Sequence, residues 1–171
     1  MSDDKKPNPL LNAVSNVVAA LRADDDQIAV AKAYDALEPQ AIEKLTPQEA
    51  RRQPTPADAV KKLLEQQNRS AVPEALVPGV TTRELTVDGA TGPLAATLYT
   101  PAGQGPFPVV LYFHGGGWVI ANRQVYDGGA RGLAAAAQAM VLSVDYRLAP
   151  EHKFPAAWDD ALAAYRRAGS F

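Results

Sequence analysis

Residues 108–118 read PVVLYFHGGGW, and this stretch decides the fold that the sequence predicts. The apolar run from Val109 to Phe113 has the length of a strand and suits one that is buried on both faces of a mostly parallel sheet. Three consecutive glycines follow, and glycine adopts positive φ without steric cost. The stretch therefore predicts a buried strand that ends in a tight turn without side chains.

The surrounding sequence predicts an α/β fold with crossover helices. An alanine-rich helix is expected from about residue 125 to 138, a second buried strand at 140–144 and a last helix at 156–168. Strand, helix, strand and helix in this order are typical of parallel crossover units. Before them, apolar residues alternate with polar ones between 82 and 100 around an Asp88-Gly89 turn, which predicts two antiparallel strands.

Residues 1–70 are predicted to be helical. Apolar residues recur at three-to-four spacing between Leu10 and Leu21, and the acidic triplet 24–26 suits a solvated helix start better than a metal site. Thr46 and Thr55 each precede a proline and, three residues on, an acid, which predicts capping boxes. We predict a helical extension or cap at 1–70, a linker at 71–81 and an α/β core at 82–171. The extension is either a lid or interaction surface, or a set of helices packed on the core.

Composition limits the function classes. The net charge of −2 comes without a dense basic block, which argues against nucleic-acid binding. The absence of cysteine excludes disulfides and Cys-ligated metals and fits a reducing compartment. The N-terminal residues do not resemble a secretory signal, and no segment has the roughly 20 apolar residues of a membrane span. A cytoplasmic protein is therefore expected.

The three glycines at 115–117 can turn their N–H groups toward one point. Converging N–H donors bind an oxyanion, and the loss of one donor typically costs about 10²–10³ in rate. A plain glycine-rich turn and a phosphate cradle are the alternatives. No Lys-Ser or Lys-Thr pair follows the glycines, so a P-loop is disfavoured.

A second motif, VDYRLAPEHKFPAAWDD at 144–160, stands downstream of HGGGW. Together the two motifs resemble the hormone-sensitive-lipase-like esterases of the α/β-hydrolase superfamily, and the resemblance extends over residues 82–171. It implies the N-terminal part of an α/β-hydrolase fold. It also implies a serine carboxylic-ester hydrolase that acts on small or medium acyl esters without a cofactor or metal.

The resemblance assigns roles to the residues of the glycine motif. Gly116 and Gly117 would supply the N–H groups of the oxyanion hole, and Gly115 would hold the turn. His114 would orient the loop by hydrogen bonds, and Trp118 would line the substrate pocket.

The resemblance also assigns structural roles in the second motif. Asp145 and Arg147 would form a charge-assisted pair, and Glu151 and His152 would shape the same loop. Asp159 and Asp160 would face solvent or cap the last helix. A catalytic His152 is disfavoured. A metal bound by His114 and His152 is disfavoured further, because no third ligand of fitting spacing appears. Ala121 departs from the family, which commonly has glycine at that position.

The catalytic triad of the family is not found in these 171 residues. None of the five serines lies in a G-x-S-x-G pattern, and no histidine follows His152. The resemblance thus predicts that the chain alone is inactive and that the strand at 109–113 exposes an unpaired edge. Such an edge would favour self-association or a complementing chain. On this interpretation the chain is a fragment of a longer protein, a truncated product or one half of a split enzyme. The alternative function is a non-catalytic pseudoenzyme that binds a ligand or partner.

Overall fold

The computed structural model describes residues 24–168, except for the side chain of Arg167. The described residues form four strands: β1 (Thr81–Asp88), β2 (Pro93–Thr100), β3 (Val109–Phe113) and β4 (Met140–Val144). The same part of the chain contains six α-helices, besides a short 3₁₀ helix at Ile42–Lys44: α1 (Asp25–Asp35), α2 (Pro47–Ala50), α3 (Pro56–Gln66), α4 (Pro73–Leu76), α5 (Asp127–Ala137) and α6 (Ala156–Ala168). The predicted helix between Leu10 and Leu21 lies outside the described residues.

The four strands form one sheet in the order β1-β2-β4-β3. The pairs β1–β2 and β2–β4 are antiparallel, whereas β3 and β4 are parallel and α5 connects them. The predicted α/β class is confirmed, with a mixed sheet in the described part because the first hairpin is antiparallel. Strand β3 is only partly buried along its whole length, which corrects the expectation of full burial on both faces. The reason is that β3 lies at the edge of the described sheet.

Two hydrophobic clusters cover opposite faces of the sheet. On one face Leu142 and Val144 of β4 pack with Ala164 of α6. On the other face Val141 packs with Ala130 and Ala134 of α5. The alternation of side chains along β4 sends neighbouring residues to opposite clusters. The helices thus hold β4, and with it the loop that follows β4, from both sides.

The described part of the helical zone, residues 24–70, begins its helices where the sequence predicts. Thr46 Oγ1 accepts a hydrogen bond from the N–H of Glu49 at 3.3 Å, and the Glu49 carboxylate accepts one from the N–H of Thr46 at 2.8 Å. Thr55 and Asp58 form the same reciprocal pair at the start of α3. Both predicted capping boxes are therefore confirmed.

The segment expected to be a linker, 71–81, contains the one-turn helix α4 and is bound to α5. Arg131 of α5 is only 2% exposed, and its Nη2 donates to Glu74 at 2.8 Å. Arg131 Nη1 also donates to the carbonyl oxygen of Val80 at 3.2 Å. The buried arginine therefore fixes this segment on the core.

The predicted pair of Asp145 and Arg147 is wrong. Arg147 instead binds Asp160 of α6, with Nε and Nη2 donating at 2.8 and 2.9 Å. Asp160 also accepts from the N–H groups of Ala90 and Arg147. The side chain of Asp160 is fully buried and, among the described residues, accepts no hydrogen bond from its own helix, so the expectation that it faces solvent or caps the last helix is wrong as well. Its four hydrogen bonds join the β1–β2 turn, the loop after β4 and α6.

We expect the change Asp160→Asn to lower the free energy of unfolding by about 2 kcal/mol, because it removes a charge that accepts hydrogen bonds from a cation. Urea unfolding measures the effect. The matched control is Asp159→Asn, an exposed neighbour on the same helix, which should change stability by less than about 0.5 kcal/mol. Equal effects of the two changes would contradict the role given to Asp160.

The same variant should change the response to acid. Burial raises the pKa of Asp160, but the hydrogen bonds from Arg147 and Ala90 outweigh it and hold the pKa below the ordinary value of 3.8. A carboxyl with a lowered folded-state pKa contributes stability above its unfolded pKa and loses it as the pH falls through the folded value. Below about pH 4, the stability of Asp160→Asn should therefore fall less steeply than that of the unchanged chain, as urea unfolding at several pH values would measure.

A further prediction concerns the surface beside β3. Phe154 and Trp158 line one cleft with Phe113 of β3 and are 89% and 69% exposed. Large apolar surfaces and unpaired edges promote association. We expect the chain to associate as its concentration rises, and sedimentation measurements should show a smaller associated fraction for Phe154→Glu/Trp158→Glu. A single monomeric species at all concentrations would contradict this.

Candidate functional site

The glycine turn, residues 114–120, follows β3 at its carboxyl end, and hydrogen bonds hold its first three carbonyl groups. The hydroxyl of Tyr146 donates to the His114 carbonyl at 2.7 Å. The His114 ring nitrogen Nδ1 lies 2.8 Å from the Gly115 carbonyl oxygen. The Gly116 carbonyl accepts from the N–H groups of Val119 and Ile120 at 3.1 and 3.0 Å.

These anchored carbonyls determine where the following amides point. In a planar trans peptide the C=O of one residue and the N–H of the next point in opposite directions. Because the carbonyls of Gly115 and Gly116 are bound, the N–H groups of Gly116 and Gly117 face away from those partners. Within residues 24–168 neither N–H donates a hydrogen bond. The turn therefore presents two free amide donors in succession.

Steric space explains why glycine stands at these positions. Gly116 has φ +131°, and a Cβ there would lie 2.1 Å from the carbonyl oxygen of Ile120. A Cβ on Gly115 would lie 2.7 Å from the hydroxyl of Tyr126. Gly117 has φ +60° with open space around it. Gly116 is thus the position where a side chain is least compatible with the turn.

His114 is buried inside the site. Its side chain is 1% exposed, and its ring stacks on Tyr146 with centroids 4.5 Å apart. Since the Gly115 carbonyl can only accept, Nδ1 must carry the proton of that hydrogen bond. Nε2 lies 3.8 Å from Asp145, beyond hydrogen-bond range. These contacts are of the kind that a loop-orienting histidine makes.

Asp145 pairs with Arg123, a residue that the sequence analysis missed. The Arg123 backbone N–H donates to Oδ1 of Asp145 at 2.7 Å, and Nη1 donates to Oδ2 at 2.8 Å. Arg123 Nε also reaches the hydroxyl of Thr97 at 3.0 Å. The loop after the glycine turn is thereby tied to both β4 and β2. Neither recognised motif includes Arg123, so no signal marked it.

Arg51 is the second missed residue, and it reaches the site from the end of α2. Its Nη1 and Nη2 donate to the two carboxylate oxygens of Glu151 at 2.8 and 2.7 Å. Its Nε and Nη2 donate to the carbonyl oxygens of Val119 and Ala149, both at 2.8 Å. The hydrogen bond with Arg51 lowers the pKa of Glu151 to about 2. Spacing could not reveal Arg51, because its partners lie far along the chain.

Several open clefts adjoin the glycine turn. One, of about 590 Å³, lies between the helical zone and the turn and is lined by Tyr34, Arg51, Gly116 and Tyr126 among others. The second, of about 550 Å³, is mainly apolar and includes Gly117 and Trp118. Trp118 borders this cleft and is 68% exposed. The two free amides therefore lie between a mixed cleft and an apolar one.

The remaining predicted site residues occupy the rim. His152 is exposed, borders both clefts, and its backbone N–H donates to the carbonyl of Leu148 at 2.9 Å. Ala121 has φ +69°, which explains physically why glycine is common at that position.

Among residues 24–168 no group of three or more His, Asp or Glu side chains could hold a metal ion. In the same range, every helix is too short or too polar to cross a bilayer.

Known proteins resemble this chain over its second half and beyond. Residues 110–170 match the alpha/beta hydrolase fold family. Esterase LipI of Mycobacterium tuberculosis is 51% identical over 86 residues, which are 48% of this chain and 27% of LipI. Carboxylesterase NlhH of the same species is 42% identical over 117 residues, or 67% of this chain and 37% of NlhH.

Solved esterase structures share the fold. An esterase of Pyrobaculum calidifontis superimposes with a TM-score of 0.62 at 32% identity, over 80% of this chain and 41% of the esterase. EstE1, a thermostable carboxylesterase from a metagenomic library, superimposes with a TM-score of 0.59 at 35% identity, over 77% of this chain and 42% of EstE1. The chain thus spans about two fifths or less of these relatives. With the two motifs and the described fold, these matches confirm the predicted resemblance: the chain belongs to the hormone-sensitive-lipase-like esterases of the α/β-hydrolase superfamily.

Proposed function

We propose that the chain supplies the oxyanion hole of a serine carboxylesterase. The observation that supports this is the pair of free N–H groups on Gly116 and Gly117, held outward by bound carbonyls on the other side of each peptide. Gly115 and His114 hold the turn in this role, and Trp118 lines the substrate pocket. The substrates are esters with small or medium acyl groups, for which the apolar cleft beside Trp118 provides a surface.

The two amides act on the ester carbonyl during acyl transfer. When a nucleophile adds to the carbonyl carbon, the carbon–oxygen double bond becomes a single bond and its electron pair moves to the oxygen. Donors that already face this oxygen stabilise the negative charge without reorganising. The oxyanion then returns its electron pair to carbon as the alcohol leaves. Gly116 and Gly117 assist both the formation and the collapse of the tetrahedral intermediate.

The nucleophile and its proton-transfer partners come from outside these 171 residues. No serine of this chain stands in G-x-S-x-G, and no histidine follows His152. A complementing segment beside β3 would add them, and the same exposed edge can support self-association. We place the enzyme in the cytoplasm, which the cysteine-free sequence fits.

The helical zone serves as a cap over the oxyanion loop in this proposal. Residues 1–70 form the cap, 71–81 connect it and 82–171 belong to the hydrolase core. The cleft shared by Tyr34 and Arg51 with Gly116 supports this arrangement. A non-catalytic binding module is not favoured, because the similar proteins reported above are named as esterases.

The chain by itself should not hydrolyse p-nitrophenyl butyrate faster than buffer. The oxyanion donors alone cannot replace a covalent nucleophile and a general base. Absorbance of released nitrophenolate measures this. Turnover that a serine-directed phosphonate abolishes would show that a nucleophile is present and would contradict the assignment.

A fusion tests the glycine turn directly. The residues of Carboxylesterase NlhH that follow its matched region are joined behind this chain, and hydrolysis of p-nitrophenyl butyrate is measured. We expect turnover from the fusion and a loss of at least about 100-fold in kcat for Gly116→Ala, because a Cβ there displaces the turn.

Gly117→Ala in the same fusion is the matched control. Its site has open space, so it bears only the cost of left-handed backbone, about 1–2 kcal/mol in folding. Its kcat should fall much less than that of Gly116→Ala. Circular dichroism verifies that each fusion is folded. A folded Gly116→Ala fusion with unchanged kcat would overturn the oxyanion role.

A further inference from the structure

Arg51 binds the glycine turn from a distant part of the chain. It ends α2 in the helical zone, and its guanidinium is partly buried with 28% of the side chain exposed. Arg51 Nε donates to the carbonyl of Val119, 68 positions away. Its remaining contacts, with Ala149 and Glu151, lie in the loop after β4. One side chain thus joins three separate segments.

The contacts use the fixed shape of the guanidinium. Nη1 and Nη2 form a parallel pair of bonds with the Glu151 carboxylate, while Nε is left to reach the Val119 carbonyl. A planar fork suits such bidentate recognition, and a lysine ammonium cannot reproduce it. The ion pair with Glu151 therefore orients Arg51 for its bonds to backbone carbonyls.

The Val119 carbonyl belongs to the same chain of bonds that holds the glycines. The Val119 N–H donates to the Gly116 carbonyl, and that carbonyl sets the direction of the Gly117 N–H. The Trp118 carbonyl accepts from the N–H of Ala149, whose own carbonyl accepts from Arg51. Arg51 therefore holds the far side of the glycine turn through both of its backbone contacts.

We propose that Arg51 is a positioning residue through which the helical zone holds the oxyanion amides of Gly116 and Gly117 in place. This inference rests on the proposed esterase function for its catalytic meaning. Its physical content is a coupling between the end of α2 and the glycine turn. That coupling can be measured without any turnover.

Amide hydrogen exchange on the 171-residue chain, at low micromolar concentration, tests the coupling. The reporters are the N–H groups of Val119, Ile120 and Ala149, which are all bonded within this network. Arg51→Ala should speed their exchange at least about tenfold, because hydrogen bonds to a charged group are lost. The exchange rate of Leu142, in the centre of the sheet, should stay within about twofold of its value in the unchanged chain. The reason is that the glycine turn can open locally while the sheet stays folded.

Two substitutions serve as comparisons for Arg51→Ala. Arg51→Lys should exchange about as fast as Arg51→Ala, because a single ammonium cannot bind the Glu151 carboxylate and both backbone carbonyls at once. Glu151→Gln should give an intermediate effect, since it removes the charge but leaves the bonds to Val119 and Ala149.

Arg52→Ala is the matched control. Arg52 is exposed, and its Nε bonds only the local carbonyl of Gln48, at 3.1 Å. Exchange at the reporters should match that of the unchanged chain.

A spectroscopic signal gives an independent measurement. In a Trp158→Phe background Trp118 is the single tryptophan of the chain, and it lies in the glycine turn. Arg51→Ala should shift its emission, whereas Arg52→Ala should not. An unchanged emission for both would count against the coupling.

Three exchange results would overturn the proposal: unchanged reporters in Arg51→Ala, an equal effect of Arg52→Ala, or equal acceleration at Leu142. The last would make Arg51 a general stabiliser. An inactive but folded NlhH fusion beside accelerated reporters would instead overturn the esterase function and leave the coupling standing.

Discussion

The planar peptide bond is the constraint on which the site depends. Because C=O and N–H point in opposite directions across each peptide, a partner for one carbonyl also determines the direction of the next amide. The glycine turn applies this constraint at successive residues, with partners from Tyr146, His114 and the turn's own amides. Two neighbouring N–H groups consequently remain free of partners within residues 24–168. Side-chain and backbone donors bind the carbonyl side of these peptides, and the amide side stays available.

The sheet supports this arrangement through the loop after β4. Tyr146, which binds the His114 carbonyl, lies between Asp145 and Arg147, and those two residues face different partners. Asp145 binds Arg123, which follows the glycine turn, while Arg147 binds the buried Asp160 of α6. The loop is thus held at both sides of Tyr146. The pair of Arg147 with the buried Asp160 is a weak source of net stability, and its hydrogen bonds define where the loop meets α6.

The helical zone contributes to the same region from outside the sheet. Arg51 binds the turn at the carbonyl of Val119, and its ion pair with Glu151 joins the helical zone to the motif at 144–160. Exposed ion pairs contribute little to stability by themselves. The importance of Arg51 lies instead in its bonds to backbone carbonyls, because those carbonyls belong to the segments that shape the site.

The sequence by itself determined the features that depend on neighbouring residues. The capping boxes at Thr46 and Thr55 use partners three residues away, β3 and β4 follow apolar runs, and three glycines permit the positive φ of the turn. The motif resemblance added the family and the α/β fold. These predictions succeeded because the spacing of residues along the chain contains the necessary information.

Only the tertiary structure decided which distant partners meet. Arg147 binds Asp160 and not Asp145, and Arg51 reaches Glu151 across 100 positions. Many acids are available to each arginine in the sequence, and only the packing of helices and loops brings one of them within bonding distance. The glycines and their histidine could therefore be recognised from the sequence, whereas the arginines that hold them could not.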